Sequence, residues 1–157
     1  MTTAMTFPDT ATRVRRHTSD EDNARIDHGI NSSVRYHARH PDKIDARLRE
    51  LDAEWDVERW LESYAGAAVL GGTLLGAFAD RRFLALPALV GAFVLQHAIQ
   101  GWCVPVPALR AMGIRTEREI DTERHALKAL RGDYGPIGPG DHQRDDRVAH
   151  ALQAARL

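Results

Sequence analysis

Charged and apolar residues separate into three blocks along the chain. A charge-free run covers residues 63–79, and after Asp80-Arg81-Arg82 a second one covers residues 83–109, whereas residues 1–62 and 110–157 are rich in charge. At about 1.5 Å per residue the second run is long enough to cross a hydrocarbon core of about 30 Å, and the first just reaches that length. The pattern predicts two membrane-spanning helices, at about residues 62–79 and 83–103, joined by a polar turn.

The alternative interpretation is a pair of buried helices in a soluble bundle. A helix that lies on a soluble core keeps one polar face towards water, and neither run shows such a face. We therefore favour the bilayer. The predicted fold class is all-α, with a two-helix transmembrane hairpin in residues 62–114, flanked by amphipathic cytoplasmic helices in residues 19–61 and 115–132.

The flanking helices are predicted from capping residues and apolar spacing. Ser19 and Asp22 are typical of a helix start, and the first helix is expected to end near Arg39, before Pro41 begins a second one. The second helix has an apolar stripe that can pack on the first helix, on another subunit or on the membrane: Ile44, Leu48, Leu51 and Trp55. Thr116 and Glu119 form a capping-box pattern that opens a third helix, which ends at Gly132.

The remaining segments are predicted to lack a core of their own. Residues 1–18 are polar and are expected to be disordered, and residues 133–157 begin with a run rich in glycine and proline. The first 30 residues contain no apolar segment of the kind found in signal peptides. One cysteine excludes a disulfide within the chain, and a net charge of -1 argues against a nucleic-acid partner.

One face of the first predicted span carries only small side chains. Such a face lets another helix approach closely, which is the main source of helix association in lipid. Its partner is either the second span or the same span of a second copy, so we expect a homo-oligomer, with a dimer favoured. The residues of this face are Ala65, Ala68, Gly72, Gly76 and Ala79.

Polar residues are concentrated in the second span. Gln96, Gln100 and Cys103 step by four and three, so a continuous helix would place them on one face, with His97 beside them. Such a row is costly against lipid, and we interpret it as a set of interhelical hydrogen-bonding groups. His97 and Cys103 would point about 240° apart on one helix and are too few ligands for a closed zinc site. We expect no metal, no cofactor and no catalytic residues.

The position of basic residues and of aromatic residues predicts the orientation. Basic residues near both ends of the hairpin outnumber the two in its turn, Arg81 and Arg82, so both termini are expected in the cytoplasm. The basic residues near the ends are Lys43, Arg47, Arg49 and Arg59 before the first run, and Arg110, Arg115, Arg118, Arg124 and Lys128 after the second. Trp55, Trp60 and Tyr64 occur where the chain should meet the lipid headgroups.

Residues 59–115 contain four short stretches that together are typical of one known family: Asp80-Arg81-Arg82-Phe83-Leu84, Val90-Gly91-Ala92-Phe93, Gln100-Gly101-Trp102-Cys103 and Leu109-Arg110-Ala111-Met112-Gly113-Ile114. Through these stretches, this part of the chain resembles the YgaP-like transmembrane domain family. It implies a two-helix hairpin in a bacterial inner membrane, with Cys103 as the family-type cysteine after the second helix. Some members carry a rhodanese sulfurtransferase domain ahead of the hairpin and dimerise. This chain has no cysteine before Ser63, so sulfurtransferase activity is not implied.

Three functions are compatible with the sequence. The preferred one is a non-enzymatic accessory or scaffold protein that inserts in the lipid bilayer and self-associates, with cytoplasmic helices able to dock a protein partner. The second is sulfur or persulfide handling by Cys103 as a reactive thiol, although no His or Lys lies at the helical spacing that would lower its pKa. The third is a small-solute pore along Gln96, Gln100 and Cys103, which requires an oligomer because two helices cannot enclose a pore.

Overall fold

The computed structural model describes residues 12–134, in which the regular secondary structure is all helical and no strand occurs. Short 3-10 turns precede two of the helices, at Pro41–Lys43 and Arg81–Leu84. The predicted all-α fold class is therefore confirmed for these residues. The helices, in chain order, are α1 (Arg13–Arg16), α2 (Asp20–Arg39), α3 (Ile44–Ala53), α4 (Val57–Phe78), α5 (Ala85–Gln100), α6 (Val106–Ala111) and α7 (Glu117–Arg131).

The described residues form two units, the first from residues 12–28 and 55–118 and the second from residues 29–54 and 119–134. Helix α2 contributes its first part to one unit and its second part to the other. It begins as predicted, because the Ser19 hydroxyl accepts a hydrogen bond from the Asp22 backbone N–H at 3.1 Å. It also ends at Arg39 as predicted, before the Pro41 turn.

The second unit buries the apolar stripe of α3 against α7. Ile44, Leu48 and Leu51 form a buried cluster with Ile120 and Leu127, so the partner of the stripe is α7, which was not among the alternatives considered from the sequence. The predicted fourth member of the stripe, Trp55, lies beyond the end of α3 and is 39% exposed. In the same unit, Arg47 of α3 donates to both carboxylate oxygens of the buried Glu123 of α7, at 2.8 and 3.2 Å.

The first unit has its own core around α4 and α6. Its buried residues come from four separate segments of the chain: Val14, Val57, Cys103, Val106 and Leu109. Helix α1 is held in place because Val14 belongs to this core. The Val57 backbone N–H also donates to the Arg115 carbonyl at 2.9 Å. The expected disorder of residues 1–18 does not extend to residues 12–18, because Val14 is buried; residues 1–11 and the predicted tail from residue 135 onwards lie outside the described residues.

Helices α4 and α5 run side by side in opposite directions. Gly72 lies against Leu86 and Pro87, and Gly76 lies against Leu84, close enough that a Cβ on Gly72 would come within 2.7 Å of the proline ring. Gly72 and Gly76 therefore face the second helix of the same chain. Pro87 falls in the first turn of α5, where its missing N–H costs nothing.

Within residues 12–134, one helical segment, Arg81–Gln100, is long and apolar enough to cross a membrane. His97 is the one buried residue in that segment. Helix α4, predicted to supply the other span, does not meet the same condition. Its first two turns carry Glu58, Arg59 and Glu62, and its apolar part is diluted by glycine. The two-span hairpin thus remains a proposal.

Candidate functional site

A cluster of three polar side chains links α1, α4 and α5. The Asp56 carboxylate caps α4 by accepting from the Arg59 N–H at 2.7 Å, which puts Glu58 in the first turn. Glu58 then contacts Nε2 of His97 at 2.8 Å with one oxygen and Nη2 of Arg13 at 3.0 Å with the other. Arg13 also donates to the Ala98 carbonyl at 3.2 Å, so one arginine joins both helices.

The Glu58 carboxylate is held in its ionised form. Hydrogen bonds from His97 and then from Arg13 lower the pKa of Glu58, and they outweigh burial, which acts in the opposite direction. An ionised carboxylate only accepts hydrogen bonds, so Nε2 of His97 must be the donor. The other ring nitrogen of His97 is Nδ1. It is buried and has no hydrogen-bond partner among the described residues.

A cavity of about 430 Å³ lies beside this cluster, within the first unit. This volume is in the range of about 300–1,000 Å³ typical of small-molecule sites. Arg13, Glu58 and His97 contribute its polar part, and Glu62 is exposed at its edge. Most of its wall is apolar and comes from facing sides of α4 and α5, including Leu61, Ala65, Ala68, Val90, Phe93 and Val94.

Cys103 reaches the same cavity because α5 ends earlier than predicted. Gly101 adopts φ = 75°, in the left-handed region that glycine tolerates, and closes the helix at Gln100. The prediction that residues 83–103 form one helix is therefore wrong, and so is the face shared by Gln96, Gln100 and Cys103. Because α5 ends between His97 and Cys103, the separation of about 240° expected on one continuous helix does not apply, and both residues line the cavity.

The structure does not favour thiol chemistry at Cys103. The side chain is 7% exposed, and burial raises the pKa of its thiol, which lies beyond the end of α5. Nucleophilic sulfur chemistry needs a thiolate and access to it. Both properties of Cys103 weigh against the sulfur-handling function expected from the sequence. Within the described residues no three His, Cys, Asp or Glu side chains come together in a way that could hold a metal ion.

The other predicted site residues have separate positions. Ala65 and Ala68 line the cavity, Gly72 and Gly76 contact the start of the second helix, and Ala79 caps the end of α4. Gln100 is exposed and Gln96 is half-buried, so the two amides do not share the environment of His97. The aromatic residues expected at the headgroups are in contact: Trp60 stacks on Tyr64 with ring centroids 5.4 Å apart, and the Trp55 ring lies tilted against Trp60 at 5.0 Å.

Arg110, which the sequence predicts to be a cytoplasmic basic residue, is fully buried. Its Nε donates to the Thr18 hydroxyl at 3.2 Å, its Nη2 to the Asn23 side-chain oxygen at 3.1 Å, and its Nη1 to the Ile114 carbonyl at 3.0 Å. Asn23 in turn donates to the Arg15 carbonyl at 3.0 Å. This network fixes the beginning of α2 against α6, and it supports the segment that carries Arg13.

No protein-family model, curated protein or solved structure matches the chain. The resemblance to the YgaP-like transmembrane domain therefore stays a prediction from the residues that carry it.

The lowered pKa of Glu58 gives the first unit an expected acid sensitivity. Because the folded-state pKa lies below the ordinary value of 4.5, the stabilisation by ionised Glu58 is complete above that value and is lost as the pH falls through the folded pKa. About a third of the Glu58 side chain is exposed, so solvent screening limits the effect, and Glu58→Gln should cost about 1 kcal/mol at neutral pH. Denaturant unfolding at neutral and acidic pH measures both quantities.

The matched control is Glu62→Gln, one turn later on α4, where the side chain is exposed. Glu58→Gln should flatten the acid limb of the stability curve, whereas Glu62→Gln should leave it close to that of the wild type. Equal acid limbs in the wild type and Glu58→Gln would show that the carboxylate does not hold the helices together.

Proposed function

We propose that this chain is a non-enzymatic accessory protein of a bacterial inner membrane, inserted through α4 and α5 and self-associating through their outer faces. The observation that carries the proposal is the exposure of large apolar side chains on both helices. Phe78 is 86% exposed, and Leu70 and Leu95 are each 62% exposed. An apolar surface of this kind on a helix pair is unusual in soluble monomers, and it is suited to contact with the hydrocarbon core of a bilayer.

Three further features support insertion of both helices. The aromatic cluster of Trp55, Trp60 and Tyr64 lies at the start of α4, which suits a headgroup region. The polar cluster of Glu58 and His97 joins the first turn of α4 to the last turn of α5, so charge is placed at one end of the pair. The excess of basic residues on both flanks over the turn favours cytoplasmic termini.

We expect the outer faces of α4 and α5 to mediate self-association, because part of the small-residue face already contacts the same chain. Gly72 and Gly76 already contact residues at the start of the second helix, which leaves no room there for another copy. The exposed leucines of α4 and α5 are available instead, and they include Leu70, Leu74, Leu89 and Leu95. A dimer is the simplest assembly that covers such a face.

Membrane retention is the decisive measurement for this proposal. The full-length protein should stay in the membrane pellet after an alkaline carbonate wash and should be released by detergent. The double variant Leu89→Arg/Leu95→Arg should lose this retention, because each arginine costs about 2.5 to 3.5 kcal/mol near the centre of a spanning helix. Leu130→Arg on α7, which replaces another exposed leucine, is the matched control, and that variant should stay in the membrane pellet.

The same preparation tests the number of spans. With two spans, protease added to intact spheroplasts should leave both ends of the chain uncut, whereas one span at Arg81–Gln100 would leave one end accessible. A protein that remains dissolved and monodisperse without detergent would refute membrane insertion altogether.

A further inference from the structure

The cavity of the first unit has a polar end and an apolar end. Glu58 and His97 lie at the polar end, in the first turn of α4 and the last turn of α5. Ala68 and Val90 line the apolar end, because the two helices run in opposite directions. From Glu58 to Ala68 the cavity follows α4 for about 15 Å, at about 1.5 Å per residue. It is therefore elongated, and its polarity falls along the helix pair.

The groups at the polar end contact one another. One oxygen of Glu58 lies 2.8 Å from Nε2 of His97, and the other lies 3.0 Å from Nη2 of Arg13. Both carboxylate oxygens thus have a partner from the same chain. Binding in the cavity therefore depends on its apolar walls.

The walls beyond Glu58 suit hydrocarbon. They consist of Leu61, Ala65, Ala68, Val90, Phe93 and Val94. A buried water molecule needs about two to four polar partners, and these side chains offer none. An apolar cavity of about 150 Å³ is already large enough to bind benzene, and the volume here is about 430 Å³. A flexible alkyl chain is the ligand that matches both the lining and the elongated form.

The cavity also opens to the outer surface of the helix pair. Tyr64, Val94 and Val104 line it, and all three are exposed. They continue the exposed apolar surface of α4 and α5 that is proposed to contact lipid. A chain from the surrounding bilayer can therefore enter the cavity through an apolar opening.

We propose that the cavity holds one acyl chain of a membrane lipid, with its ester end beside Glu58 and its methyl end beside Ala68. Such binding rests on the proposed insertion of α4 and α5. The direction of the chain follows from Trp60 and Tyr64, which suit the headgroup level and lie near the polar end of the cavity. The length of about 15 Å is half of a hydrocarbon core of about 30 Å, so the cavity spans one leaflet.

Photolabelling at two depths tests both the site and the direction. The full-length protein is reconstituted in phosphatidylcholine vesicles that contain a small share of photoreactive phosphatidylcholine. One photoreactive lipid carries a diazirine at the methyl end of an acyl chain, and the other carries it near the ester. After irradiation, mass spectrometry should find the methyl-end label at Ala68 and Val90 and the near-ester label at Leu61 and His97. The same distribution of label from both lipids would contradict the proposed direction.

Positions on the outer faces separate cavity binding from membrane insertion itself. Lipid that only surrounds the helices should label Leu70 and Leu95, which are among the most exposed leucines. Label at these leucines but not at Ala68 and Val90 would overturn cavity binding and leave insertion intact. Label at neither pair would contradict both proposals.

Two adjacent alanines of α4 provide matched variants. Ala68→Leu fills part of the cavity, so the label at Val90 should be lost while the label at Leu70 and Leu95 stays. Ala67→Leu adds the same group at an exposed position outside the cavity and should preserve the label at all three residues. Circular dichroism of both variants establishes that the helices are intact. Undiminished label at Val90 in folded Ala68→Leu would show that lipid reaches Val90 by another route, and cavity binding would be refuted.

Discussion

Replacing Arg110 by methionine should lower the free energy of unfolding of the first unit by about 3 to 5 kcal/mol. The methionine fills much of the same space but cannot donate, so the Thr18 hydroxyl, the Asn23 side-chain oxygen and the Ile114 carbonyl each lose a hydrogen bond. Because Arg110 is fully buried, water does not replace those bonds. Denaturant unfolding followed by circular dichroism gives the difference directly.

Two variants make this result specific. Arg110→Lys keeps the charge but loses the planar fork that reaches three acceptors, so its stability should lie between those of the wild type and Arg110→Met. Arg16→Met, on the exposed side of α1, should change the free energy of unfolding by less than about 0.5 kcal/mol. If Arg110→Met and Arg16→Met were equally stable, the network around Arg110 would have no role in holding α2 against α6.

Alanine at two neighbouring glycines of α4 should have opposite effects. In Gly72→Ala the new Cβ would lie 2.7 Å from the Cδ of Pro87 and 3.3 Å from Leu86. A proline ring cannot rotate away, so the helices must separate, and we expect a loss of about 1 to 3 kcal/mol. In Gly71→Ala the Cβ meets nothing within 4 Å, and the higher helix propensity of alanine should stabilise the protein by up to about 1 kcal/mol.

Thermal unfolding of the two variants in the same detergent measures this contrast. Crosslinking of the same samples separates packing within the chain from packing between copies. Gly72→Ala should lower the midpoint temperature of unfolding. The way in which this midpoint changes with protein concentration should stay the same as in the wild type. If it instead reduced the crosslinked dimer and left the midpoint unaltered, the small-residue face would contact a second copy.

Local signals in the sequence predicted much of the helical framework. Ser19, Pro41, Thr116 and Gly132 mark helix ends through short-range chemistry, and the structure places α2, α3 and α7 between them. The apolar stripe of α3 was also recognisable, because its spacing belongs to one helix. Its partner was not, since α7 follows more than sixty residues later and periodicity carries no information about pairing between distant segments.

The polar end of the cavity was missed for a related reason. His97 lies in a charge-free run, and its partner Glu58 is 39 residues away, so neither residue signals the other. The predicted position of Cys103 was wrong because residues 83–109 contain no charge, and the absence of charge gave no sign that the helix ends before residue 103. Gly101, followed within a few residues by Pro105, is the local signal that would have ended the helix at Gln100.

Gly101 also constrains how the protein can be handled. A Cβ at this position would lie 2.5 Å from the Cβ of Arg13, so α1 rests directly on the backbone where α5 ends. Trimming the chain to begin at α2 would remove Arg13, which bridges Glu58 and Ala98 and also lines the cavity. Affinity tags and fluorescent labels are therefore better placed at the far terminus, after α7.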